Sequence, residues 1–205
     1  MKIVFDFGGV LFHWRPPELV RRELPRRVGD EASARHWVQQ IFQGYGGDWG
    51  DFDRGSVEVP ELRERIMART GLEAAEVQAI LDGVARELQP IPQSVALLER
   101  LHRGGTPLFF LSNMPAPYAD HLEAAHDFIG WFRSGVFSGR VNAVKPEREI
   151  FDLAAARFDS RPEELLFFDD LPANVDAARA AGWHAELFTD AAAAATALRQ
   201  RGLMA

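Results

Sequence analysis

Ile3-Val4-Phe5-Asp6-Phe7-Gly8-Gly9-Val10-Leu11-Phe12 opens the chain with three apolar residues, two of them β-branched, followed at once by a carboxylate and then by two glycines. The apolar run suits a strand buried on both faces. Asp6 then stands where such a strand ends, and Gly8-Gly9 lets the backbone turn sharply or press close to a ligand. In open α/β sheets that end of the strands is where ligands bind. Read alone, the stretch fits a strand and turn capped by Asp6 equally well, so the rest of the chain has to decide.

From about Arg15 to about Leu88 the pattern is helical, with no strand. Pro16-Pro17 starts a helix through Leu24; others are expected over 30–42, 60–69 and 73–87. Between them, Gly44 to Gly55 is rich in glycine and carries Tyr45, Trp49, Phe52, Asp53 and Arg54. It reads as a loop, either a connection stapled down by its aromatics or a substrate-facing segment. From Pro92 onward helix and strand alternate. Helices are expected over 92–103, 115–126, 147–158, 172–181 and 190–201; strands end near Leu111, Ser138, Phe168 and Phe188. This predicts an α/β fold: a doubly wound, Rossmann-like parallel sheet formed by residues 1–14 and 89–205, with 15–88 inserted as a small helical cap.

The composition narrows the function. A chain of 205 residues, 47% hydrophobic, has the bulk for one domain with an insertion. A net charge of −7 argues against nucleic acid as a partner. The absence of cysteine excludes disulfides, thiolate nucleophiles and cysteine-based zinc sites. Asp6 interrupts the opening apolar run before it resembles a signal peptide, and no run is long enough to span a bilayer. A cytoplasmic monomer or homodimer without membrane contact is the expectation. Of 23 basic residues only Lys2 and Lys145 are lysines, so at 145 a compact ammonium stands in a chain that otherwise uses arginine.

The expected strands end in polar residues: Asp6 after the first, Ser112-Asn113 after the second, Asp169-Asp170 after the fourth. Each has an ordinary role open to it, since Ser112, Asn113, Asp169 or Asp170 suits a helix cap. In a parallel sheet, however, all of them share one edge. Three carboxylates there repel one another unless a cation lies among them, and oxygen ligands of this kind suit Mg²⁺. A hydroxyl, an amide and an ammonium nearby suit the oxygens of a phosphate. Asp6 then becomes a nucleophile able to form an acyl phosphate, with Lys145 neutralising charge on the transferring group.

In these residues the chain resembles the haloacid dehalogenase-like hydrolase superfamily over essentially its full length. Phe5-Asp6-Phe7-Gly8-Gly9-Val10-Leu11, Leu111-Ser112-Asn113, Val144-Lys145-Pro146 and Phe167-Phe168-Asp169-Asp170 with Asn174 are similar to its four motifs, in order. The resemblance implies that Asp6 is the nucleophile, that Ser112 and the Asn113 backbone hold phosphate, and that Lys145 bridges nucleophile and phosphate. It implies Asp6, the Gly8 carbonyl, Asp170 and Asp169 (directly or through water) as Mg²⁺ ligands. It also implies a closing cap in which Tyr45, Trp49, Asp53 and Arg54 face a small phosphate ester.

One position departs from the pattern. Where the family's phosphatases carry a second aspartate as general acid and base, this chain has Gly8. The subgroup with glycine there, which includes an α-D-glucose-1-phosphate phosphatase, is the one that the chain resembles most. A sugar phosphate is therefore the favoured substrate, with His13, Asp53 or solvent supplying the proton. Two other functions fit a chain of this kind: a 2-haloacid dehalogenase using Asp6 against carbon, which the Asp169-Asp170 pair argues against, and a phosphate-ligand-binding module without turnover.

Overall fold

The structure, a computed structural model, describes residues 1–204. Its centre is a five-stranded sheet of β1 (Lys2–Phe5), β2 (Leu108–Ser112), β3 (Ser134–Phe137), β4 (Leu165–Asp169) and β5 (His184–Leu187). The order is β3-β2-β1-β4-β5 and every neighbouring pair is parallel. Phe5 is in register with Phe110 on one side and Phe168 on the other, so Asp6 and Asp169 follow at the same level. Between β1 and β4 the strand order reverses, which makes this the crevice where a doubly wound sheet binds ligands.

Side-chain alternation sorts the strands' apolar residues onto two faces. Ile3, Phe5, Phe110 and Phe168 enter one core, and Val4, Phe109, Leu111 and Phe167 enter the other. The second core is covered by α8 (Arg148–Arg157) and α9 (Pro172–Ala180). The first is covered by α6 (Pro92–Arg103), α7 (Ala116–Ala125) and α10 (Ala191–Gln200). The layers expected from strand–helix alternation are therefore the layers found.

Between β1 and α6 the chain forms helices only: α1 (Pro16–Glu23), α2 (Glu31–Phe42), α3 (Gly47–Arg54), α4 (Val59–Thr70) and α5 (Ala74–Glu87). Their apolar faces, including Leu19, Phe42, Trp49, Ile66 and Ile80, join the same buried cluster as Phe5 and Phe7. Glu87, 1% exposed, takes Arg15 at 2.7 Å and Arg22 at 3.0 Å, which ties the start of this block to its end. Among the described residues no helix is long and apolar enough to cross a membrane.

The expectation of a loop over Gly44 to Gly55 is corrected: residues 47–54 are helix α3. Its glycines suggest a breaker, but Trp49, Phe52 and Asp53 share one face at helical spacing. Burial of that face, with Trp49 edge-on to Phe42 at 4.5 Å, overrides the weak propensity. Gly55 ends the helix at φ 85°, and a Cβ there would lie 2.3 Å from the Gly139 carbonyl oxygen.

Candidate active site

Asp6 leaves the end of β1 with its backbone N–H still held by Phe168 O at 2.9 Å. Its carboxylate is fixed on one side only. Oδ1 accepts the Phe7 N–H at 2.7 Å and lies 3.0 Å from Lys145 Nζ. Oδ2 takes part in neither contact, so it is the oxygen free to attack a phosphorus or carbon centre.

Lys145 is 4% exposed and reaches past Asp6 to donate to Asp169 Oδ2 at 2.6 Å. Burial disfavours its charge, yet Asp169 and then Asp6 outweigh that and hold the ammonium above its usual range. Asp169, wholly buried, also accepts from Asn174 Nδ2 at 3.0 and 3.1 Å and from the Leu171 N–H at 2.9 Å. Both its oxygens are thereby engaged by protein donors. Asp170 is the freer of the pair. Its Oδ2 packs so close to Gly9 that a Cβ there would lie 2.2 Å away, and Gly9 has φ +73°. Only glycine meets both conditions.

Asp6, Asp169 and Asp170 each offer a carboxylate oxygen, all within 4.8 Å of one another. Burial, then the neighbouring carboxylates, pushes Asp6 up against the opposing pull of Lys145. Asp170 is pushed up to about 6, first by burial and then by Asp169. Such a set of hard oxygen donors under mutual repulsion fits a divalent cation such as Mg²⁺.

Ser112 and Asn113, at the end of β2, line the same cavity. The side chain of Asn113 has a task that the sequence did not reveal. Its Nδ2 donates to the Lys145 carbonyl at 2.9 Å and its Oδ1 accepts the Lys145 N–H at 2.8 Å, so it holds the lysine's backbone from both sides.

The cavity that this polar floor and the helical block enclose has a volume of about 340 Å³. Of the residues expected to face it from the helical block, Tyr45, Trp49 and Asp53 do so. Arg54 does not: its guanidinium is turned to Glu147 and to the Asn142 carbonyl. His13 does not line it either. The walls include residues that sequence reasoning passed over, among them Trp14, Val84, Leu88, Met114 and Tyr118. Two of the donors on these walls are already spent: Trp14 Nε1 donates to the Tyr45 hydroxyl at 2.8 Å, and the Tyr118 hydroxyl to Leu81 O at 2.9 Å.

A family model of haloacid dehalogenase-like hydrolases matches residues 3–182. A sesquiterpene phosphatase of Aspergillus oryzae is 27% identical over 201 residues, covering 96% of this chain and 94% of the relative. Hexitol phosphatase A of Escherichia coli is 30% identical over 139 residues, covering 65% of this chain and 63% of that protein. Among solved structures, a predicted HAD-like family hydrolase of Porphyromonas gingivalis superimposes with a TM-score of 0.71 at 28% identity, covering 91% of this chain and 89% of that one.

Proposed function

The chain belongs to the haloacid dehalogenase-like hydrolase family and is a phosphatase within it, and we propose that it hydrolyses small phosphate monoesters with Mg²⁺ through a phospho-aspartyl intermediate on Asp6. The observation that carries this reading is the arrangement at Lys145, whose ammonium lies between Asp6 and Asp169 with Asp170 beside them.

Asp6 Oδ2 attacks phosphorus while Oδ1 stays fixed by Phe7 N–H and Lys145. Ser112 and the Asn113 backbone hold the phosphate oxygens, and Lys145 offsets the charge that develops on them. Asp6, Asp169, Asp170 and the Gly8 carbonyl would hold the metal ion. When bound, the ion supplies charge neutralisation and orients the phosphate. Residues 15–88 act as the cap that shields the site from water.

The leaving group is read from the walls. Hexitol and sesquiterpene phosphatases are both among the relatives, and they act on opposite kinds of alcohol. A sugar phosphate, which Gly8 suggests, needs donors and acceptors for its hydroxyls. Indole, phenyl and aliphatic surfaces instead form most of the upper cavity, and the Trp14 and Tyr118 donors are already taken up by protein oxygens. This favours an apolar alcohol, and the relative with a sesquiterpene substrate is also the one matched along nearly its whole length.

Phosphate release from p-nitrophenyl phosphate tests the reaction. Asp6→Asn and EDTA each abolish it under this reading, and release unaffected by both overturns it. Halide release from 2-chloropropionate in EDTA would assign the site to carbon chemistry instead.

A further inference from the structure

An alkyl alcohol is a poor leaving group and needs a proton as its bond to phosphorus breaks. Gly8 has no side chain to give one. The ionisable groups around the cavity are few. Asp6, Asp170 and Lys145 belong to the phosphate end. The Tyr118 hydroxyl spends its proton on Leu81 O, and the Tyr45 hydroxyl, which accepts from Trp14, is pushed above its usual range by burial and is too weak an acid. Asp53 remains. It is 5% exposed, lines the cavity from the helical block, and has no ion-pair partner among the described residues.

The backbone around Asp53 is anchored to the segments that follow β2 and β3. Ser138 Oγ, just after β3, donates to the Asp53 carbonyl, and also accepts the Met114 N–H at 2.8 Å. Arg54 pairs with Glu147, and Gly55 packs against the Gly139 carbonyl. Three consecutive residues of α3's end are thus fastened to the segments carrying Ser112 and Lys145. A buried carboxyl held this way, beside Trp49 and without an ion pair among the described residues, has a defined position relative to Asp6.

Resting on the phosphatase reading above, we propose that Asp53 is the catalytic acid and base that stands in for the side chain missing at Gly8. In the first step Asp6 Oδ2 forms the bond to phosphorus. The bond from phosphorus to the alcohol oxygen breaks, its electron pair stays on that oxygen, and Asp53 delivers the proton that completes the alcohol. In the second step the Asp53 carboxylate takes a proton from water as the water oxygen attacks phosphorus. The Asp6–phosphorus bond then breaks, freeing inorganic phosphate and restoring both carboxyls to their starting forms.

The electrostatics agree with that role. Burial raises the Asp53 carboxyl to about 8, against the pull of Lys145 and with a smaller push from Asp6. The other charges on packed elements are matched elsewhere: Arg65 and Arg69 of α4 to Asp48 and Asp51, and Arg140 to Asp120 and Glu123. The end of α2 that meets Trp49, residues 39–42, is uncharged. At neutral pH Asp53 therefore holds the proton that it has to give.

First-turnover alcohol release from octyl phosphate and from p-nitrophenyl phosphate, whose leaving group needs no proton, is the test. Asp53→Asn should slow octanol release at least about 100-fold more than p-nitrophenol release. It should also give a nitrophenol burst followed by slow turnover, because dephosphorylation lacks its base. Equal slowing of both, or of neither, overturns the proposal. Wild-type protein gives a second readout independent of any variant's folding. Octanol release should fall about tenfold per pH unit above about 8 while nitrophenol release does not, and parallel profiles overturn the role. Asp6→Asn separates the two readings: if it leaves wild-type phosphate release intact, the phosphatase mechanism fails; if it abolishes release while Asp53→Asn has no selective effect, only the Asp53 role fails.

Discussion

Asn113 holds Lys145 by its backbone, donating to the carbonyl at 2.9 Å and accepting from the N–H at 2.8 Å. The two residues are 32 positions apart, yet this double bond sets where the lysine's side chain starts. Asn113→Ala removes both bonds and leaves part-buried backbone groups unpaired, at a cost of about 1–3 kcal/mol in stability. It should also lower kcat about 10- to 100-fold by letting Lys145 drift from Asp6. Asn113→Asp, which keeps only the acceptor, should fall between. Thermal unfolding and phosphate release check both; a variant with normal stability and activity would show that the clamp does not position the lysine.

An apolar cavity should discriminate by chain length. From ethyl to octyl phosphate, kcat/KM should rise about fourfold for each methylene that fits, from about 0.8 kcal/mol per buried group. Trp14→Ala removes an aromatic wall and should raise KM for octyl phosphate about tenfold while hardly changing that for ethyl phosphate. A flat series, or glucose phosphates turned over better than octyl phosphate, would return the preference to sugars.

Burial of Asp53 also predicts a stability effect of known sign. Its carboxyl ordinarily releases its proton near 3.8, whereas in the fold it does so at about 8. The unfolded chain therefore gives up that proton first, and the folded state loses stability as pH rises from about 4 to about 8. Asp53→Asn cannot ionise, so its Tm minus that of the wild type should grow across this window and level off above it. Calorimetry at several pH values measures the gap; a constant gap would mean that Asp53 is already ionised in the fold.

Gly8 itself offers a rescue. A Cβ at this position would lie 3.6 Å from Trp14 Cβ, an ordinary contact. Gly8→Asp in the Asp53→Asn background should therefore recover at least about tenfold of the lost octanol release. No recovery would mean that position 8 cannot reach the leaving oxygen in this protein.

Much of this was legible in the sequence, for a simple reason. β1, β2 and β4 are buried on both faces, so each is an unbroken apolar run, and each run stops abruptly at polar residues. Parallel pairing then brings Asp6, Ser112 and Asp169 to one edge without further information. Helix α3 was hidden because its glycines weaken local propensity, and only burial of Trp49, Phe52 and Asp53 makes it helical. The Asn113 clamp and the outward turn of Arg54 depend on partners at 145 and 147, distant in sequence, and leave no local periodicity. The apolar walls were equally invisible, because Val84, Leu88 and Tyr118 read as ordinary core residues until the helical block folds over the sheet.

The measurement closest to the centre of the account is to quench the protein in acid during turnover of a phosphate monoester with Mg²⁺ and to map the phosphorylated peptide by mass spectrometry. A hydroxylamine-labile phosphate on Asp6, absent in Asp6→Asn, is the predicted result. Full turnover with no phosphate ever found on Asp6, or with it on another residue, would contradict the account.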